Sequence, residues 1–176
     1  MAFGEVTCMI FGGLSPVFTK TVGSKRMAFF WSALLCFVLS IAFFFIPMSP
    51  DYIWVMIALV ILTSIGIGIY SPLMWSMYAD VADYHTEHFG TSATGLIFSS
   101  GTMSQKFGTA ISGSLIALFL GWAGANMITD KMGNTVIDPT SITDSVLMMV
   151  WSLFSLFPAV IAFLLMVLSY KFPIKK

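Results

Sequence analysis

Five long apolar segments, parted by short polar connections, decide what this chain can become. They fall at residues 2–18, 27–46, 53–79, 93–122 and 145–170. A helix rises about 1.5 Å per residue, so about 20 apolar residues cross the roughly 30 Å hydrocarbon core of a bilayer. Within lipid every backbone N–H and C=O must be satisfied internally, which a helix does inside one segment. The expected fold is therefore an all-α membrane protein with five transmembrane helices. The first segment is marginal in length. The third and fourth exceed the minimum, so they are expected to tilt, kink or project past the bilayer. Pro72, close to Gly66 and Gly68, predicts a bend in the third segment, and Pro158 one in the fifth. Only 9% of the residues are charged, against about 25% in soluble domains, too few to clothe a soluble globule.

The connections orient the bundle. Lys20, Lys25 and Arg26 lie between the first two segments, and Lys171, Lys175 and Lys176 follow the last. With five spans these two places share one side, which the positive-inside rule assigns to the cytoplasm. The stretch 80–92 is then a cytoplasmic loop, and the C-terminus is cytoplasmic. Residues 48–52 and 124–144 face outward with Lys131, the longer one as a solvated loop rich in Gly, Asn, Thr and Asp. The N-terminus falls outside, and the first helix opens almost at Met1. Both features predict that an upstream part is missing from this chain. The zero formal charge gives no reason to expect nucleic-acid binding. Cys8 and Cys36, both in apolar segments, are expected to be membrane-buried thiols. No metal or cofactor is expected.

Lys106 is the one charge in the stretch 93–122. A lysine at the centre of a transmembrane helix costs about 2.5–3.5 kcal/mol on insertion scales. It is retained where it faces protein, water or a carboxylate. Snorkelling to the interface is the alternative, but Lys106 lies roughly 20 Å along the helix, which strains the reach of its stem. Residues three and four apart share a helix face, so Gly95, Ser99, Thr102, Gln105, Lys106, Thr109 and Gly113 form one polar or small stripe. Gly108, Ser112, Gly113 and Ser114 also suit close helix–helix contact.

Tyr70, Ser71, Met74, Trp75 and Tyr78 form a cluster on the third segment. Two readings stand for Tyr70 and Trp75: core packing, or a platform on which a sugar ring stacks. Trp31, Trp54, Trp122 and Trp151 lie near segment ends and read as interface anchors. Glu5 reads as interfacial too. Asp80 and Asp83 are expected to face neighbouring helices or basic loop residues together, with Tyr84 beside them at a cytoplasmic gate. The acids and histidines from Asp80 to His88 read as a charge-paired surface, not a metal site. There is no Gly-rich phosphate loop with a lysine, no GxSxG and no HExxH. No enzyme is expected.

The run from Ser71 to Tyr84, SPLMWSMYADVADY, resembles the end of helix ten in the glycoside–pentoside–hexuronide:cation symporters. These are the melibiose-permease-like family of the major facilitator superfamily. The run from Ala93 to Gly108, ATGLIFSSGTMSQKFG, is similar to that family's helix eleven, lysine included. The run from Phe18 to Arg26 is similar to its short basic loop between helices eight and nine. The resemblance implies helices 8–12 of a twelve-helix fold, an incomplete C-terminal half. It implies alternating access, with a sugar or glycoside bound between two halves near the midplane of a bacterial inner membrane. Lys106 would then be a charge partner coupling sugar to a cation (sodium, proton or lithium) held by acids of the N-terminal half. Thr102, and less directly Gln105, would line the sugar cavity. Thr91 and Ser92 stand where many family members carry arginines. A non-transporting remnant or scaffold module is the competing expectation.

Overall fold

The computed structural model describes residues 2–47, 49–129 and 135–171; Lys131, Lys175 and Lys176 lie outside them. It contains α1 (Ala2–Val22), α2 (Lys25–Phe44), α3 (Ile53–Phe89), α4 (Thr94–Trp122) and α5 (Asp144–Lys171). A small hairpin, β1 (Met127–Thr129) with β2 (Thr135–Ile137), joins α4 to α5. Among the described residues, α2, α3 and α5 are each long and apolar enough to cross a membrane. In α4 the polar stripe dilutes the hydropathy.

The helices meet along seams of small residues. On α2, Ala28, Ser32, Cys36 and Ser40 recur every four positions and are all buried. On α5, Ser155, Ala159, Ala162 and Ser169 are buried. On α1, Gly4, Cys8 and Gly12 run beside Ser64, Gly68 and Pro72 of α3. A Cβ on Gly4 would stand 3.0 Å from Ser64 Oγ, and one on Gly12 would lie 3.5 Å from the Gly68 carbonyl oxygen. The Cys8 thiol donates to the Ser64 carbonyl at 3.1 Å. Many large side chains are turned outward, among them Met9, Trp54, Leu168 and Tyr170, while Phe29, Ile69 and Leu73 form a small core with Ala28. This inversion follows from the solvent. Lipid tails are as apolar as leucine, so burying large side chains gains little, while small residues let backbones pack closely.

Three differences from the sequence reading have clear causes. First, α3 does not end at 79. It runs to Phe89, so Asp80, Asp83, Tyr84 and both histidines are helical. After Ala79 no proline or glycine occurs before Gly90, which adopts φ +67° and donates its N–H to the Thr86 carbonyl. At 37 residues, the helix is roughly 55 Å long by its rise and must emerge from the bilayer. Second, α2 starts at Lys25, because the Ser24 hydroxyl caps the Met27 N–H. Third, the outer connection is ordered rather than a plain loop. Gly124, at φ +88°, turns the chain out of α4. Leu120, Ala125 and Val146 form a second small core, with Ile137 of the hairpin packed on it. The Asp138 carboxylate accepts from the Thr140 N–H, and its bonding to Thr140 holds that carboxyl below the usual carboxylate range. Pro72 and Pro158 both lie within continuous helices.

Candidate functional site

The residues singled out from sequence fall in three separate places. Thr102, Gln105 and Lys106 stay together on α4, all exposed. At 100° per residue their face lies roughly opposite the one carrying Ile97, Ser100, Gly101 and Ser104. That second face turns inward and lines a cavity of about 420 Å³ with Met74, Tyr78 and others. Lys106 therefore points away from this bundle. The hydroxyls of its stripe are occupied along the helix itself. Thr102 Oγ1 donates to the Ser99 carbonyl at 2.9 Å, and Thr109 Oγ1 to that of Gln105. Serine and threonine satisfy themselves this way when nothing else is in reach.

The burial pattern of α4 is unlike that of its neighbours. Leu120 is its only buried residue among those described. Its small residues make no seam: a Cβ on Gly95, Gly108 or Gly113 would meet nothing within 4 Å. The close helix contact expected of Gly108 and Gly113 is not made among the described residues. What holds α4 lies at its two ends. Towards its start, Phe98 stacks on Trp75 at 6.2 Å and lies edge-on to Tyr78, whose ring leaves room only for a glycine at position 101. At the other end sits the Leu120–Ala125–Val146 core.

Tyr70 and Trp75 are not gathered with Lys106, nor with each other. Tyr70 lies edge-on to Phe29 at 5.8 Å and lines an apolar cavity of about 230 Å³ between α2, α3 and α5. Trp75 belongs to the α3–α4 contact just described. Both rings make packing contacts within the chain. Trp151, expected at the interface, stacks on Phe43 at 4.8 Å and donates from Nε1 to the Phe44 carbonyl. The seam residues and Phe98 were missed because single small or aromatic residues in an apolar run do not announce their partners. The fourfold spacing of Ala28, Ser32, Cys36 and Ser40 was the available signal.

At the basic end, Asp80 forms an ion pair in which both of its carboxylate oxygens accept from one lysine. Lys25 Nζ lies 2.8 Å from each of its carboxylate oxygens. This ties the start of α2 to α3. Asp83 and Tyr84 are exposed, and Tyr84 stacks on His88 at 3.9 Å. The two aspartates therefore do not act together: at three positions apart on a helix they diverge by about 60°, and only Asp80 meets α2. Asp80→Asn is expected to lower stability by about 1–2 kcal/mol, the worth of a charge-assisted hydrogen bond discounted for the partly exposed lysine. Asp83→Asn should leave it unchanged. Thermal unfolding of both variants in detergent checks this, and equal losses would contradict it. Among the described residues no cluster of histidine, cysteine, aspartate and glutamate is placed to hold a metal ion.

Apolar helices joined by small-residue seams, with one lysine-bearing helix exposed along most of its length, define an α-helical membrane protein. The chain belongs to the MFS/sugar transport protein family, which it matches over residues 1–176. It is 39% identical over 101 residues to an uncharacterized 29.9 kDa protein in the crtE 3' region of Pseudescherichia vulneris, covering 57% of this chain and 36% of that one. It is 29% identical over 121 residues to the putative glycoside/cation symporter YagG of Escherichia coli K12, covering 65% of this chain and 26% of that one. It is 33% identical over 114 residues to the glucuronide carrier protein homolog of the same organism, covering 63% and 24%. The chain thus spans between 24% and 36% of the length of these relatives. No solved structure matches it. The family is one of transporters, not enzymes.

Proposed function

We propose that the chain forms part of the C-terminal half of a cation-coupled sugar or glycoside symporter, contributing helices 8–12. In this reading the Lys106 face of α4 meets the N-terminal half. The observation that carries it is the contrast between seams. On α2, α3 and α5 small residues in rows are buried against a partner helix and on α1 they are half-buried, whereas the row on α4 is exposed. A row of this kind, with a lysine in it, is unsuited to lipid. Its partner then lies outside these residues, and the acids that would pair with Lys106 belong to it. The names of two relatives, a putative glycoside/cation symporter and a glucuronide carrier homolog, favour a glycoside or sugar acid as cargo. The membrane is the bacterial inner membrane, with the Lys25–Asp80 end in the cytoplasm.

The chemistry is differential binding. A lysine paired with a carboxylate in the empty state, and released when a cation takes its place, links cation binding to the equilibrium between outward- and inward-open states. The test is uptake of labelled glycosides by the complete transporter, scanned with and without sodium and a proton gradient. Accumulation that requires one of these cations is expected. Equilibration indifferent to every cation would contradict the coupling.

A further inference from the structure

Glu5 sits deeper in the bundle than an interfacial residue. Gly4, Cys8 and Gly12 of α1 meet Ser64, Gly68 and Pro72 of α3 in that order, so the two helices run side by side in one direction. Glu5 is therefore level with residues 64–65 of α3. That height is roughly 17 Å along α3 from Ile53 and roughly 22 Å from Ala79, the ends of its uncharged stretch. A hydrocarbon core about 30 Å thick encloses it. Glu5 is exposed, and it takes part in no ion pair among the described residues. A charge at such a depth is kept where it faces protein or water rather than lipid.

The helix faces decide which groove it meets. At about 100° per residue, Glu5 falls on one flank of the Gly4–Cys8–Gly12 row. Phe11 and Phe18 fall on the other, packed on the cluster of Ala28 and Phe29 from α2. Glu5 thus lies on the side of α1 away from α2. On α3 that same side carries Tyr78, whose ring meets Gly101 of α4. On α4, Ile97, Ser100 and Ser104 turn to the cavity shared with α5, and Thr102 and Lys106 lie on the opposite flank of Gly101. Glu5 and Lys106 therefore border one groove between α1 and α4, floored by α3. Phe98 beside Trp75 and Gly101 beside Tyr78 put Lys106 level with about residue 70 of α3, roughly 8 Å further in than Glu5.

We propose that Glu5 is a cargo-binding residue whose carboxylate accepts hydrogen bonds from the hydroxyls of a sugar ring in this groove. The assignment rests on the transport reading above. An ionised carboxylate only accepts, through two oxygens, and hydroxyl donors to it make short, charge-assisted bonds. A bare metal cation is the poorer occupant. Hard cations gather several oxygen ligands, and Val6, Met9 and Gly13 beside Glu5 on α1 bring no side-chain oxygen. Lys106 only donates. An acceptor at one height and a donor at the next give a hydroxylated molecule one preferred orientation in the groove.

Equilibrium binding to the complete transporter in detergent tests this with no gradient applied. The probes are p-nitrophenyl β-glucuronide and p-nitrophenyl β-glucoside. Glu5→Gln is expected to weaken both about tenfold, the worth of a hydrogen bond to a charged group. A carboxylate that acted only by its field would instead repel the glucuronide, and Glu5→Gln would tighten it. Glu5→Asp should recover part of the loss. Should Glu5→Gln lose helicity by circular dichroism, Glu5→Cys carries the test, and saturating glycoside is expected to slow its reaction with a maleimide. Unchanged affinity for both probes in the folded Glu5→Gln would overturn the proposal and leave the transport reading standing. Tighter binding of the glucuronide, or labelling at position 5 indifferent to glycoside, would do the same. A wild type that binds neither glycoside would contradict the transport reading itself, and this assignment with it.

Discussion

Lys106→Ala in the complete transporter is expected to abolish accumulation of sugar against its gradient, with the protein still inserted at normal levels. Two facts make the effect large and specific. The side chain is exposed, as are all its neighbours from 102 to 111, so its removal opens no cavity among the described residues. The charge is also costly to keep: replacing it by an apolar residue makes the helix about 3 kcal/mol easier to insert on translocon scales. Lys106→Leu should therefore be at least as abundant in the membrane as the wild type and equally deficient in coupled uptake. A residue kept for stability would show the reverse, with abundance falling and activity per molecule intact. Uptake by membrane vesicles, normalised to protein detected by blotting, separates the two. Cation-driven accumulation at the wild-type level in Lys106→Ala would remove Lys106 from the mechanism.

Gly68→Ala is expected to be the most damaging of the glycine substitutions on α1 and α3. A Cβ at position 68 would lie 2.8 Å from the Cys8 carbonyl oxygen and 3.0 Å from the Cys8 Cα. Both are backbone atoms, so α1 as a whole must shift away from α3. Alanine gains about 1 kcal/mol of helix propensity over glycine, but overpacking a close seam costs about 1–3 kcal/mol or more. We expect a net loss of about 1–2 kcal/mol. Gly66→Ala should be milder, since its nearest obstacle is the Cys36 Sγ at 2.5 Å, the end of a side chain that can rotate. Gly13→Ala meets nothing within 4 Å and should be neutral or stabilising by about 1 kcal/mol. Unfolding of the three variants in detergent ranks them. Gly68→Ala as stable as Gly13→Ala would show that α1 and α3 do not cross here.

Much of the fold is legible in the sequence. Apolar length located the helices, since the bilayer leaves the backbone no other way to satisfy itself. The ends were read less well. Asp80 and Asp83 looked like the start of a loop because charge was taken to mark the end of a helix, yet charge ends only the membrane-buried part, and Gly90 ends the helix. The hairpin was hidden because its positions depend on Leu120, Ala125 and Val146 meeting across 26 residues of sequence. The candidate site was legible where it lies on one helix. Thr102, Gln105 and Lys106 share a face by spacing alone. It was not legible between helices, where Tyr70 and Trp75 diverge on α3 and Asp80 finds Lys25. Those pairings are set by how the small-residue seams place whole helices.

The claim at the centre of this account is that the Lys106 face of α4 looks onto protein and water, not lipid. Thiol labelling tests it most directly. In a complete transporter lacking Cys8 and Cys36, single cysteines are placed at Thr102 and Thr109 on that face and at Phe107 and Ile111 away from it. A membrane-impermeant maleimide is then applied. Labelling at 102 and 109, reduced by transported sugar, with 107 and 111 unreactive, is the predicted result. Equal reactivity on both faces, or none at 102 and 109 whether sugar is present or not, would contradict it.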